Sequence, residues 1–308
     1  MRRIVDLKHG KTKLRSKVSK AITILFSLVA VLALAGCDSG LLGAKGVISV
    51  YQQKLLLFAF LLMLVVVIPV FFLTFWFAWR YRASNKNAKY RPNWAHSTTL
   101  EIIWWTIPCI IIVILALVTW FTTHKLDPYR SLDSKVKPVT IEVIALDWKW
   151  LFIYPEEKIA TVNYIEIPVN TPINFKITSA APMNSFIIPQ LAGQIYAMTG
   201  METQLHVMAN ETGKYRGFSA NYTGRGFAEM QFYAKATSEQ DFDNWIAKVK
   251  TTPTVLTMTA FDMLKKPSVA NPVTYYGSVE KGLFNDVMMS YMMPPMADME
   301  HHEKEIKF

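Results

Sequence analysis

Residues 55–79 read LLLFAFLLMLVVVIPVFFLTFWFAW, 25 consecutive positions without a charge. About 20 apolar residues in helical geometry cross the hydrocarbon core of a bilayer, so this stretch predicts a membrane span. Residues 102–121, IIWWTIPCIIIVILALVTWF, predict a second. The loop between them, RYRASNKNAKYRPNWAHSTTLE, holds Arg80, Arg82, Lys86, Lys89 and Arg91, and its only acid is Glu101. Positive charge beside a span marks the cytoplasmic side. The hairpin is therefore expected to place both outer ends, and all that follows residue 121, in the periplasm. Trp76, Trp79, Trp104, Trp105 and Trp120 stand near the span ends, where interfacial aromatics belong. Pro69 and Pro108 fall mid-span, which is tolerated when neighbouring groups satisfy the freed carbonyls.

Upstream, residues 1–36 join a basic block to the apolar run AITILFSLVAVLALAG, the pattern of a secretory signal. Seven of the ten net positive charges of the 308-residue chain sit in that block. The basic balance is thus a targeting feature, and no nucleic-acid partner is implied. The tetrapeptide LAGC at 34–37 resembles the lipobox of bacterial lipoproteins. The resemblance implies lipidation of Cys37, and Asp38 resembles the signal for retention in the inner membrane. A plain signal anchor with an incidental cysteine is the other reading. One lipid chain holds a membrane only marginally, and the hairpin supplies a second attachment.

Downstream, a polar linker gives way to short β-rich runs: VTIEVIALDWKWLFIYP, ATVNYIEIPVNTPINFKITS, NSFIIPQL, METQLHVMA, KYRGFSANY and FAEMQFYAKAT. Such runs between Pro, Gly and Asn turns predict a β-sandwich or small barrel. SEQDFDNWIAKVK then predicts a helix opened by Ser238 and Asp241, with Phe242, Trp245, Ile246 and Val249 on its buried face. Further helices are expected in TMTAFDMLKK and GLFNDVMMSYMM. The expected division is a signal over 1–36, a hairpin over 37–124, a β domain over 125–236, a helical segment over 237–293 and a loose tail over 294–308.

Two spans followed by a periplasmic sandwich is the layout of subunit II of the haem-copper oxidases. DWKWLFIYP, TPINFKITS, MNSFIIPQLAGQIYAMTGM and GFSANYTGRGFAEMQFYAKAT, with FDNWIAKVK and GLFNDVMMSYM, resemble the cytochrome bo-type ubiquinol oxidase branch over about residues 37–293. The resemblance implies a membrane protein with a cupredoxin-like periplasmic sandwich and C-terminal helices. It implies a subunit of a proton-pumping ubiquinol oxidase in the bacterial inner membrane, partnered by subunit I, further small membrane subunits and lipids. Haem and copper are expected in subunit I, ubiquinol is the complex's substrate, and no cofactor is expected in this chain.

In the cytochrome c oxidase branch, a histidine in H-S-W/F and the loop C-x-E-x-C-x-x-x-H-x-x-M hold a dinuclear copper centre. Here Asn184 stands at the first histidine position, Phe218 and Tyr222 at the cysteines and Gly226 at the second histidine, while Met230 falls one place beyond the methionine. Bridging thiolates are what hold two copper ions close. The chain has two cysteines, Cys37 and Cys109, and Cys109 lies inside a span. No metal site is expected, and Phe218 and Tyr222 are expected to fill the volume with aromatic packing. His9, His96, His124, His206, His301 and His302 all lie outside the spans, so haem ligation is not supported. His301 and His302 read as solvated tail residues. Met183, Met198, Met201, Met208 and Met230 read as core filler.

Glu101 opens the second span and carries two readings that remain open. One is a capping box with Thr98. The other comes from the resemblance, in which an acid here lies at the cytoplasmic mouth of a proton channel into subunit I; a carboxylate at a water-facing membrane edge can collect protons. Trp148, Lys149 and Trp150 read as alternating positions on a sheet, with one tryptophan packing on subunit I and no electron-transfer role. Two rival functions stay open: a copper-bearing cytochrome c oxidase subunit, and a freestanding membrane-anchored binding lipoprotein.

Overall fold

The computed structural model describes residues 27, 40–89 and 93–292. The rest of the expected signal over 1–36, Cys37, Arg91 and the tail histidines lie outside them. Two long helices come first: α1, Val47–Arg80, and α2, Thr98–Lys125. At about 1.5 Å per residue, the 34 residues of α1 run roughly 50 Å, well beyond a hydrocarbon core of about 30 Å. The uncharged run ends one residue before the end of α1 and forms the middle of α2, and their large apolar side chains are exposed nearly all round. That surface suits lipid or a partner helix and is untenable in water.

The excess length of α1 lies at its outer end and docks on the β domain. Backbone N–H groups of Lys45 and Gly46 both donate to Gln190 O (2.7 and 3.0 Å), Val47 N–H to Met208 O (3.1 Å), Ser49 N–H to Leu191 O (3.3 Å), and Asn210 N–H to Lys45 O (2.9 Å). The Ser49 hydroxyl, fully buried, adds a 2.6 Å bond to Gln190 O. Chain and sandwich are thus joined by β-type pairing, with Gly46 opposite Ala209.

The outer domain is a sandwich of two mixed sheets. Its strands are β1 (Val139–Leu146), β2 (Lys149–Tyr154), β3 (Ile159–Val162), β4 (Tyr164–Pro168), β5 (Ile173–Ser179), β6 (Asn184–Ile187), β7 (Gln194–Ala197), β8 (Thr203–Val207), β9 (Gly213–Ser219) and β10 (Gln231–Thr237). A C-terminal arm follows: helix α3 (Glu239–Lys250), β11 (Val255–Leu256), α4 (Met258–Lys265), β12 (Thr274–Tyr276), β13 (Ser278–Val279) and α5 (Leu283–Ser290). One sheet runs β12-β3-β2-β1-β5-β8, the other β4-β10-β9-β6-β7. The pairs β1–β5 and β4–β10 are parallel, which gives a cupredoxin-like sandwich rather than a meander.

Between the sheets sits an aromatic core. Phe186 stacks on Phe232 at 5.1 Å, meets Trp150 edge-on at 5.2 Å and packs against the tilted Phe175 ring at 5.2 Å. Gly217 is required beneath it, because a Cβ there would come 2.1 Å from the Phe232 ring. The outer face of β1 and β2 is also covered: Ile144, Leu146, Leu151 and Ile153 pack with Leu256, Phe261, Leu283, Phe284 and Val287 of the arm. Every residue of β2 is buried as a result. This explains why WLFIY, residues 150–154, reads as a continuous run without polar alternation, since a strand covered on both faces has no solvent side to alternate with. Helix α3 forms as expected, with Ser238 accepting from Asp241 N–H and Phe242, Trp245, Ile246 and Val249 buried.

Candidate functional sites: the end of the sandwich and the cytoplasmic edge

At one end of the sandwich three loops converge on positions 184, 218, 222 and 226. Asn184 is buried; its amide donates to Pro182 O at 2.7 Å and its Oδ1 accepts from the Ser219 hydroxyl at 3.1 Å. Ser219 N–H reaches Met230 O at 3.2 Å, and Met230 is fully buried. Asn221 closes on Met183 O at 2.8 Å. Trp148 occupies the tight turn between β1 and β2 at φ 62°, so it is not the sheet residue that alternation predicts. From there its indole N–H donates to Thr223 O at 3.1 Å and its ring lies on Gly226, where a Cβ would come within 2.5 Å.

The expected aromatic filling by Phe218 and Tyr222 does not occur. Tyr222 is 76% exposed and leans on Phe227 at 5.5 Å. Phe218 is half-buried beneath the Arg216 guanidinium. What is buried at this end is the Asn184–Ser219 pair and Met230, and the Trp148 ring covers Gly226. The methionine expectation also holds only in part: Met230 is core, whereas Met183 and Met201 are 44% and 52% exposed.

This donor set does not fit a dinuclear copper centre. Position 184 offers a carboxamide whose two polar ends are both engaged, 218 and 222 offer no thiolate, and 226 offers no side chain. Copper pairs need soft bridging ligands. Among the described residues no three His, Cys, Asp or Glu side chains cluster in a metal-binding arrangement. His206 is structural: its Nδ1 lies 3.0 Å from Pro128 O and ties the linker to β8.

At the cytoplasmic end of α2 the expected capping box is absent. Ser97 is the N-cap, with no side-chain capping bond, and Thr98 turns its hydroxyl to His96 Nε2 at 3.1 Å. Glu101 Oε1 lies 2.7 Å from His96 Nδ1, with its carboxylate 43% exposed. His96 thus meets Thr98 on one ring nitrogen and the Glu101 carboxylate on the other, and His96 and Glu101 line a shallow pocket of about 240 Å³ with Trp94, Leu100 and Trp104. The helix end competes for Glu101 less well than an imidazole five residues back.

Family models described as cytochrome c oxidase subunit II, transmembrane domain, and cytochrome c oxidase subunit II, periplasmic domain, match residues 44–121 and 119–237. The COX aromatic rich motif matches residues 250–295. Cytochrome bo(3) ubiquinol oxidase subunit 2 of Pseudomonas aeruginosa is 54% identical over 276 residues, covering 90% of this chain and 81% of the relative. Ubiquinol oxidase subunit 2 of Acetobacter aceti is 48% identical over 283 residues, 91% of each chain. The chain belongs to the ubiquinol oxidase subunit 2 family. The periplasmic domain of cytochrome oxidase subunit II of Bradyrhizobium japonicum superposes on 38% of the chain at 21% identity and TM-score 0.36.

Within this ubiquinol oxidase family member, the match at 250–295 falls on the arm, whose role sequence reasoning missed. Strand β12 pairs antiparallel with β3 and extends the first sheet. Lys149, buried on β2, donates from Nζ to Lys266 O at 2.8 Å and to the Ser268 hydroxyl. It pins the arm's central loop to the sandwich. Desolvation pushes its pKa down, and Asp147 opposes that shift. A lysine inside an apolar run was the available signal.

Proposed function

We propose that the chain serves as subunit II of a proton-pumping ubiquinol:oxygen oxidoreductase, supporting subunit I and carrying no redox centre of its own. The observation that carries this reading is the donor set at 184, 218, 222 and 226, which offers copper no thiolate and no imidazole. Ubiquinol dissolves in the bilayer and reaches subunit I from within it, so a water-facing copper relay is unnecessary. Haem and copper belong, on this reading, to subunit I, with further small subunits completing the complex. Relatives of high identity that are named ubiquinol oxidase subunit 2 support it.

Glu101 collects protons at the cytoplasmic edge for subunit I. Its exposure and its close contact with the His96 ring support a carboxylate presented to water. Cys37 is the lipidated residue that follows a signal over 1–36. The chain soon after it, Gly40–Gly43, is held beside the outer end of α1, where Gln190 Nε2 donates to Gly43 O at 3.2 Å and Gln53 Nε2 to Leu42 O at 2.5 Å. That placement suits acyl chains entering the outer leaflet.

The deciding experiment compares oxygen uptake by the purified complex with ubiquinol and with reduced cytochrome c, alongside copper analysis. Uptake is expected with ubiquinol alone. A purple bimetallic chromophore in the periplasmic domain, or turnover with cytochrome c, overturns the reading.

A further inference from the structure

A pocket of about 200 Å³ lies where the outer ends of α1 and α2 meet the underside of the sandwich, lined by Tyr51, Lys125, Asp127, Arg130, Asp133 and Met208. Two cations and two anions share this small space, yet none of the four forms an ion pair among the described residues. Lys125 Nζ sits over the Tyr51 ring at 4.3 Å instead, and one Asp127 oxygen accepts from Tyr129 N–H at 2.9 Å. Opposite charges that line one pocket without collapsing on each other suit a ligand that carries both signs.

The depth of the pocket identifies the class of ligand. Lys125 lies four residues beyond Phe121, where the uncharged run of α2 ends, and Tyr51 four residues before Leu55, where that of α1 begins. Four helical residues are about 6 Å, which falls within a headgroup layer roughly 5–8 Å thick. The geometry points to a binding site for the headgroup of a zwitterionic aminophospholipid in the outer leaflet. Arg130 and Lys125 take the phosphate, for which the guanidinium fork is suited. Asp127 and Asp133 take the primary ammonium, aided by the negative C-terminal end of α2. The pocket holds a headgroup only, so the acyl chains run down the exposed apolar sides of α1 and α2. A purely anionic headgroup meets two carboxylates, and a trimethylated one has no N–H to give them. The inference needs the hairpin to cross the membrane and is independent of the reaction the complex performs.

The test uses the purified, delipidated complex containing this chain, re-lipidated in nanodiscs of equal parts ethanolamine, glycerol and choline phospholipid, with retained lipid counted by native mass spectrometry. The ethanolamine lipid is expected to be retained over both others. Arg130→Gln should cut that retention about three- to tenfold, the loss of one charge-assisted contact at a wet interface. Asp127→Asn with Asp133→Asn should abolish the preference for ethanolamine over glycerol while some lipid is kept. If Arg130→Gln does not assemble, Lys125→Gln serves in its place with the same expectation. Equal retention of all three lipids, retention indifferent to both cation variants, or a protein chain cross-linking into the pocket through a photoreactive residue at 131 overturns the proposal.

Discussion

Gly46→Ala should unfasten the outer domain from the membrane hairpin while leaving the sandwich folded. Gly46 has ordinary extended backbone (φ −106°, ψ 160°), so alanine brings no torsional strain. The obstacle is contact: a Cβ would lie 2.3 Å from Leu191 O, 2.7 Å from Leu191 Cα and 2.9 Å from its carbonyl carbon. All three are backbone atoms and cannot rotate away. Relief requires the segment at 45–49 to withdraw, which endangers the five backbone hydrogen bonds and the Ser49 bond that cross the junction. At about 1 kcal/mol net each, losing half of them costs about 3 kcal/mol. Local opening would then quicken roughly a hundredfold. Gly193 faces the same junction and provides the control, because its Cβ would meet only the Gln52 amide tip at 2.7 Å, a flexible end that can swing aside. Gly193→Ala should cost less than about 0.5 kcal/mol. Hydrogen–deuterium exchange at the amides of Gly46, Val47 and Asn210 in the full-length chain reads the difference, with amides of β1 and β2 as reference. Equal protection in Gly46→Ala and wild type would refute the reasoning, as would loss of protection in the sandwich core.

Gly226→Ala should destabilise the domain by about 1–3 kcal/mol by forcing the Trp148 ring off its seat, and the penalty should largely vanish in a Trp148→Ala background; additive losses in the melting temperatures would show the two are not coupled. Lys149, whose proton is held less tightly in the folded chain because its ammonium is desolvated, should make stability rise with pH as its lowered value is passed on the way to about 10.4, since the unfolded chain binds more protons in that window. Lys149→Met should erase that rise in a pH series of melting temperatures. Tyr154, with its pKa raised by burial, works in the opposite sense: its contribution is present below about 10 and lost as pH climbs further. Glu101→Gln should slow ubiquinol-driven turnover of an assembled complex, and unaltered turnover would leave Glu101 only its contact with His96.

Much of the architecture is legible because single effects dominate it. Twenty-five uncharged residues leave α1 no stable place but a bilayer, and Phe242, Trp245, Ile246 and Val249 recur at helical spacing behind a serine cap. The misses share a different cause: each depends on a partner distant in sequence. Trp148 belongs to a run that alternates as a strand does, but the reversal at 147–148 takes it out of the sheet and onto Gly226, 78 residues away. Thr98 and Glu101 match a capping pattern, yet His96 intercepts both side chains. Strands β7, β11, β12 and β13 are two to four residues long and carry too little pattern to read. That no cysteine lies beyond residue 109 was readable because it is a matter of composition; how the end of the sandwich is packed is a matter of geometry.

That distinction bears on how a sandwich of this kind can be closed at this end without a metal. A metal-binding loop stripped of its ligands leaves buried polar backbone and a void, each worth about 1–3 kcal/mol against the folded state. In this chain the Asn184 carboxamide and the Ser219 hydroxyl satisfy one another and the carbonyls of Pro182 and Asn221. Trp148 closes the remaining side through a turn that requires a left-handed residue and a glycine opposite it. Single substitutions therefore do not build a site: Asn184→His puts an imidazole where both ends of the side chain are already engaged, and Tyr222→Cys adds a thiol on an exposed turn. Copper binding should appear only in variants that also supply two thiolates and remove the Trp148–Gly226 contact. A copper-binding domain obtained from the ligand substitutions alone would show that the tryptophan seat is not what closes this end of the sandwich.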